Sequence, residues 1–212
     1  MSEGIEVKVC GLTSAAAATE VVRLGADYGG INGYPPSPRF IEGKSEEEIL
    51  HELPVGSRIW VTVEPSLASA EEALRRGYDI VQVHFDPKGT FSPLDLASVV
   101  GKERVWLAPR LADPLEFSED WIGLADLFLI DGFSPNQVGG TGKRVSGESF
   151  QRLERRYPTE KFCIAGGIGP ENVKEVLEES GAKRIDVNSG VESSPGVKDV
   201  AKLEELFRSV RG

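Results

Sequence analysis

Short apolar, β-rich runs recur along the chain roughly every 20 to 35 residues: Ile5 to Val9, Tyr28 to Asn32, Ile59 to Val63, Ile80 to His84, Val105 to Ala108, Leu127 to Ile130, Phe162 to Ala165 and Ile185 to Asn188. The stretches between them carry a helical period. Leu67, Ala70, Ala73 and Leu74 stand at i, i+3, i+6 and i+7, and Val200, Leu203, Leu206 and Phe207 repeat that spacing. Pro170 opens another helix, with Val173, Val176 and Leu177 on one face. Eight strand-plus-helix alternations predict an α/β protein, a closed parallel (β/α)8 TIM barrel forming a single domain over residues 1–212. A doubly wound open sheet shares the rhythm and is the competing architecture. The helical pattern is weak after the fourth and fifth strands.

Parity within the strands places the polar groups. Along Lys8-Val9-Cys10, Gln82-Val83-His84, Ile130-Asp131 and Asp186-Val187-Asn188, apolar and polar residues alternate. In a barrel wrapped by helices the apolar face meets the helices, so the polar residues point at the axis and its mouth. Unpaired buried polar groups cost roughly 1 to 3 kcal/mol each, so this many inward ones predict a network or a site.

At 212 residues and 40% apolar, the chain is long enough for one sizeable core. A net charge of −10 without a basic stripe argues against nucleic acid and anionic membranes as partners. The N-terminus lacks the basic and apolar regions of a secretory leader and no apolar run reaches spanning length, which predicts a soluble, cytoplasmic protein. Cys10 and Cys163 are far apart and form no CxxC pair, in keeping with reduced thiols, and the two histidines, His51 and His84, support no metal cluster. No metal and no cofactor are expected.

Candidate chemistry gathers at strand ends. Cys10 closes the first strand with inward parity, the position where barrel active sites lie, whereas Cys163 sits mid-strand and reads as packing. Asp131 ends the apolar run Leu127 to Ile130 and is a candidate proton donor; a loop-capping aspartate is its structural alternative. Asp186 is similar, or serves to orient Lys8. Arg39, on a proline-stiffened loop, suits a carboxylate, and His84 ends the fourth strand. After the seventh and eighth strands come Gly166-Gly167 and Ser189-Gly190, whose amides would grip a phosphate. Gly139-Gly140-Thr141-Gly142-Lys143 is not a Walker A motif, and Gly167 to Asn172 fails the dinucleotide fingerprint, so neither ATP nor NAD is indicated. The loop holding Gly140 reads as a cover over the site.

These segments, taken in order from Lys8-Val9-Cys10-Gly11-Leu12-Thr13 through Ser37-Pro38-Arg39, Val81-Gln82-Val83-His84, Asp131, the Gly140 loop and Ala165-Gly166-Gly167-Ile168-Gly169-Pro170-Glu171-Asn172 to Asp186-Val187-Asn188-Ser189-Gly190-Val191-Glu192 and Pro195-Gly196-Val197-Lys198-Asp199, resemble the phosphoribosylanthranilate isomerase family of tryptophan biosynthesis. The resemblance implies a (β/α)8 barrel that carries out a cofactor-free Amadori rearrangement of a small phosphorylated substrate. It implies Cys10 as general base, Asp131 as general acid and Arg39 as binder of the anthranilate carboxylate. It also implies substrate contacts from His84, Asp186, Gly140, Gly166, Gly167, Ser189 and Gly190. A thiol starting near 8.5 approaches the neutral range such a base needs with modest help. The chain departs from the family pattern at Gly30-Ile31-Asn32, Phe85 and Ser146-Gly147, changes expected to touch the aromatic subsite and the loop. Two rivals are a non-catalytic sugar-phosphate barrel, which gains nothing from Cys10 opposite Asp131, and a barrel acting on the histidine-pathway aldosylamine, expected to carry aspartate at position 10. Monomer and homodimer are both open.

Overall fold

The computed structural model describes residues 4–132 and 144–211. Eight parallel strands form one closed barrel in sequence order: β1 (Glu6–Val9), β2 (Tyr28–Asn32), β3 (Arg58–Val63), β4 (Ile80–Phe85), β5 (Val105–Pro109), β6 (Leu127–Ile130), β7 (Phe162–Ala165) and β8 (Arg184–Val187). The open-sheet alternative is thereby excluded, because β1 pairs with β8 over four residues, with Lys8 opposite Asp186. The helices are α1 (Ala15–Arg23), α2 (Lys44–Glu52), α3 (Leu67–Arg75), α4 (Pro93–Val100), α5 (Gly147–Arg156), α6 (Val173–Ser180) and α7 (Val200–Arg211). Beyond β8 a short hairpin, β9 (Glu192–Ser194) and β10 (Val197–Lys198), stands apart from the barrel and was not expected from the sequence pattern.

Strand alternation divides the core in two. One apolar layer lies between barrel and helices and includes Val7, Val9, Val81, Val83, Ile185 and Val187. The smaller inner layer includes Cys10, Ile59, Val61, Trp106, Leu129 and Cys163. Lys8 and Gln82 are fully buried with it, as the parity of their strands requires. Serines open the helices where the chain leaves a loop: Ser14, Ser66, Ser92 and Ser146 each accept from a backbone amide at the start of α1, α3, α4 and α5.

The weak pattern after the fifth strand has a structural counterpart. No α-helix follows β5; two 3-10 turns, Pro114–Glu116 and Glu119–Trp121, take its place. Aromatic residues in and between these turns pack against the strands, with Phe117 edge-on against Trp121, Phe128 and Phe162. Two positions assigned to apolar helix faces are exposed, Leu67 and Val200, because each begins its helix and its first turn overhangs the core.

The contact of α5 with α6 depends on the absence of a side chain. A β-carbon at Gly147 would lie 2.7 Å from Glu179 Cβ and 2.8 Å from its carbonyl carbon. Gly147→Ala is expected to force the helices apart at a cost of about 1 to 3 kcal/mol. Thermal or urea unfolding checks this: an unchanged midpoint would refute the close contact.

Candidate active site

Residues at the ends of β1 to β4 and of β6 to β8 meet at one mouth of the barrel. Cys10 follows β1, Asp131 follows β6, and β7 and β8 separate them round the wall. A cavity of about 360 Å³ opens there, lined by Cys10, Arg39, His84, Asp131 and Asp186, and by Gly166, Gly167 and Ser189 of the two glycine loops. Of the expected site residues, these eight come together. Gly190 does not line the cavity but packs against the loop of Ile168 and Gly169, and Gly140 lies outside the described residues. Asn32, Tyr34, Thr62 and Asn188 also line the cavity. Asn32 and Asn188 carry the inward parity of β2 and β8; the loop residue Tyr34 has no periodic signal in the sequence.

Beneath Cys10 a buried cation is paired. Lys8 Nζ lies 2.9 Å from Asp186 Oδ1, with the two side chains 1% and 9% exposed. Burial alone would lower the Lys8 ammonium, but Asp186 and then Cys10 raise it above its ordinary value, so it stays charged. Asp186 therefore orients Lys8 as well as lining the cavity. The Cys10 thiol departs from the near-neutral value expected from sequence. Burial pushes it up, and the positive charges of Lys8 and Lys198 only partly pull it back. Cys163 faces the same interior but is raised further by burial, in keeping with a packing role.

His84 is neutral at physiological pH: burial, then Lys8 and Arg110, lower it to about 4. Gln82 Nε2 donates to its Nε2 at 3.1 Å. Asp131 Oδ1 accepts from the Gly132 amide at 2.7 Å, which holds the carboxyl at the mouth. Arg39 rides on a loop tightened by the bridge between Asn32 and Phe40, and its amide donates to Ser37 Oγ at 3.1 Å. Its guanidinium makes a fork with Glu192, Nε to Oε1 at 2.9 Å and Nη2 to Oε2 at 2.6 Å.

The glycine loops form a concave pair. Gly166 and Gly167 have φ of 97° and 60°, a conformation L side chains rarely adopt. Asn172 braces this loop, its Nδ2 donating to Gly167 O at 2.8 Å and its Oδ1 accepting from Gly169 N at 2.9 Å. A β-carbon at Gly190 would fall 2.1 Å from Ile168 O, so the two loops touch through that glycine. Among the described residues, no group accepts from the amides of Gly166, Gly167, Ser189 or Gly190. Free amides converging in this way suit an anion.

Of the departures from the family pattern, only one enters the cavity. Phe85 points outward and packs on Phe91 and Trp121 in the helix layer, and Ser146 is the N-cap of α5. Asn32 lines the cavity, and its Oδ1 accepts from Tyr34 N at 2.9 Å.

A thiol and a carboxyl facing one polar cavity at the C-terminal mouth of a (β/α)8 barrel define the class: a barrel enzyme equipped for proton transfer. The family model described as N-(5'phosphoribosyl)anthranilate (PRA) isomerase matches residues 7–209, and the chain belongs to that family. It is 32% identical over 209 residues to N-(5'-phosphoribosyl)anthranilate isomerase of Aquifex aeolicus, covering 98% of each chain. The enzyme of the same name from Paracoccus denitrificans is 34% identical over 209 residues, with 96% of this chain and 95% of that one covered. The solved phosphoribosyl anthranilate isomerase of Thermotoga maritima superposes with a TM-score of 0.84 at 26% identity, covering 98% of this chain and 99% of that one.

Inorganic phosphate or sulfate is expected to bind at the amides of Gly166, Gly167, Ser189 and Gly190, and Gly190→Ala to weaken it about tenfold by displacing one loop from the other. Backbone amide shifts on phosphate titration test this; an anion held at Lys143 with these four amides unmoved would overturn it.

Proposed function

We propose that the chain catalyses the Amadori rearrangement of N-(5-phosphoribosyl)anthranilate to 1-(2-carboxyphenylamino)-1-deoxyribulose 5-phosphate, as a single cytoplasmic domain, with Cys10 as general base and Asp131 as general acid. The observation that carries the assignment of roles is that these two groups border the same cavity from strands on separate parts of the wall. A non-catalytic sugar-phosphate barrel has no use for that pair, and the histidine-pathway alternative calls for aspartate where Cys10 stands. Among the described residues no helix is long and apolar enough to cross a membrane.

The chemistry needs one proton delivered and one removed. Asp131 protonates the furanose oxygen, the C1–O bond breaks, and the anthranilate nitrogen supplies its lone pair to form a protonated imine. The Cys10 thiolate then takes the C2 proton, and those electrons move toward nitrogen to give the enolamine, which becomes the ketone by gaining a proton at C1 and losing one from the C2 hydroxyl. Atoms and electrons balance without an outside oxidant. The phosphate rests on the glycine loops, the carboxylate on Arg39. Because burial raises Cys10, the thiolate that takes the C2 proton is the minority form near neutrality in the free enzyme.

Cys10→Ala is expected to abolish turnover while leaving binding of a product analogue largely intact, whereas Cys163→Ala leaves the rate near that of the parent. Steady-state kinetics with calorimetric binding distinguish these; a Cys10→Ala variant with normal kcat would remove the assigned base. For Asp131→Asn the expectation is a fall in rate of roughly two to four orders of magnitude with the fold retained. Melting temperature and turnover on one preparation separate this from a capping role, in which stability would fall more than rate.

A further inference from the structure

Arg39 presents a problem that the assigned contact with a carboxylate does not solve. The edge of a guanidinium best matched to a carboxylate is the fork of Nε and one terminal nitrogen, and in this protein that edge is already closed on Glu192. Only the outer edge, made by the two terminal nitrogens, remains for a ligand. Its direction is therefore set by whatever holds Glu192.

Glu192 is held from several sides. Lys198 Nζ donates to its Oε1 at 2.9 Å and to Asn188 Oδ1 at 3.0 Å, while Lys202 Nζ donates to its backbone carbonyl at 2.7 Å. The side chains of Glu192 and Lys198 are 3% and 2% exposed. The hairpin that carries both is anchored on the β1 and β2 loops, with Thr13 Oγ1 donating to Gly196 O. Gly11 completes the fit: a β-carbon there would strike Arg39 Cδ at 2.6 Å and Asn188 Oδ1 at 2.7 Å, so the arginine stem passes through space that only glycine leaves open.

We propose that Glu192 is a positioning residue for the isomerase reaction: with the β9–β10 hairpin as its support, it fixes Arg39 so that the outer guanidinium edge faces the anthranilate carboxylate. This rests on the functional reading above. A rival electrostatic view predicts the opposite effect, since an anion beside Arg39 would repel the substrate. The geometry favours the positioning view. Glu192 does not line the cavity, and its two carboxylate oxygens are already bonded to Arg39 and Lys198, so its charge is spent on two cations and not presented to a ligand. Loss of Glu192 therefore leaves the Arg39 fork without its anchor.

The test uses two probes, borohydride-reduced 1-(2-carboxyphenylamino)-1-deoxyribulose 5-phosphate and its counterpart lacking the aromatic carboxylate, titrated by calorimetry into the parent, Glu192→Gln, Arg39→Met and the double variant. Glu192→Gln is expected to weaken the carboxylated probe about tenfold and to leave the other within about twofold. The double variant should bind no worse than Arg39→Met alone, since Glu192 acts through Arg39. Equal losses on both probes, additive losses in the double variant, or tighter binding by Glu192→Gln would each overturn the proposal. Glu192→Asp guards against misfolding: it keeps the charge between two cations but shortens the arm, and it should show the same selective loss, an equal loss on both probes again overturning the proposal. If the parent binds neither probe, the functional reading falls and takes this inference with it. If the parent binds both and the variants show no selectivity, the inference alone fails.

Discussion

The ion pair of Lys8 with Asp186 is the interaction on which both the barrel and its site depend. The two residues face each other in the register that joins the first strand to the last, so the pair lies at the seam where the sheet closes. Burying two charges costs several kcal/mol per ion before their attraction is counted, and a hydrophobic pair could serve closure equally well. What an apolar pair could not supply is a fixed positive charge directly below Cys10. The space for it comes from Gly30, where a β-carbon would meet Cys10 Sγ at 3.1 Å and Lys8 Cε at 3.2 Å. Seam and thiol are thus built from the same few atoms, and a change at any of them acts on closure and on the surroundings of the thiol together.

From that seam the polarity spreads upward in layers. Lys8, Asp186 and Gln82 lie within the barrel; Cys10, His84, Asn188 and Asp131 stand above them at the mouth; Arg39, Glu192 and Lys198 form the rim. Each layer limits the charge of the next. Lys8 contributes to keeping His84 neutral and to lowering the Cys10 thiol against its burial. The result is a cavity with a thiol, a carboxyl and a neutral imidazole beneath a paired arginine, so a dianionic phosphate and a carboxylate can enter without meeting a free anion on the β1–β2 side.

The layout of this architecture is legible in the chain because strand periodicity, inward parity and the glycine-to-helix transitions are local properties. Cys10, Asp131 and the glycine loops after β7 and β8 can be placed at one mouth from those signals alone. Three features escape for reasons that are not local. The aromatic plug after β5 is built on Phe117, which meets Trp121 beside it and Phe128 and Phe162 from later strands, a contact invisible to a helical window. The raised thiol follows from burial by distant elements outweighing two nearby cations. The partner of Arg39 lies 153 residues further on, and its hairpin is too short to leave a periodic trace.

The same distinction decides which sequence departures bear on substrate choice. Residue 85 follows an inward residue, so its parity is outward, and a phenylalanine there belongs to the packing between strand and helix. Position 146 is answerable to the start of α5, where serine caps as well as any residue. Position 32 differs, because β2 parity turns it inward and the loop bearing Arg39 begins there. An asparagine at this point gives its carbonyl to the Tyr34 amide and so shapes the turn that leads to the arginine. Its effect is thereby directed at the Arg39 end of the cavity and not at the glycine-loop end, which Asn172 and Gly190 shape independently on the β7 and β8 loops.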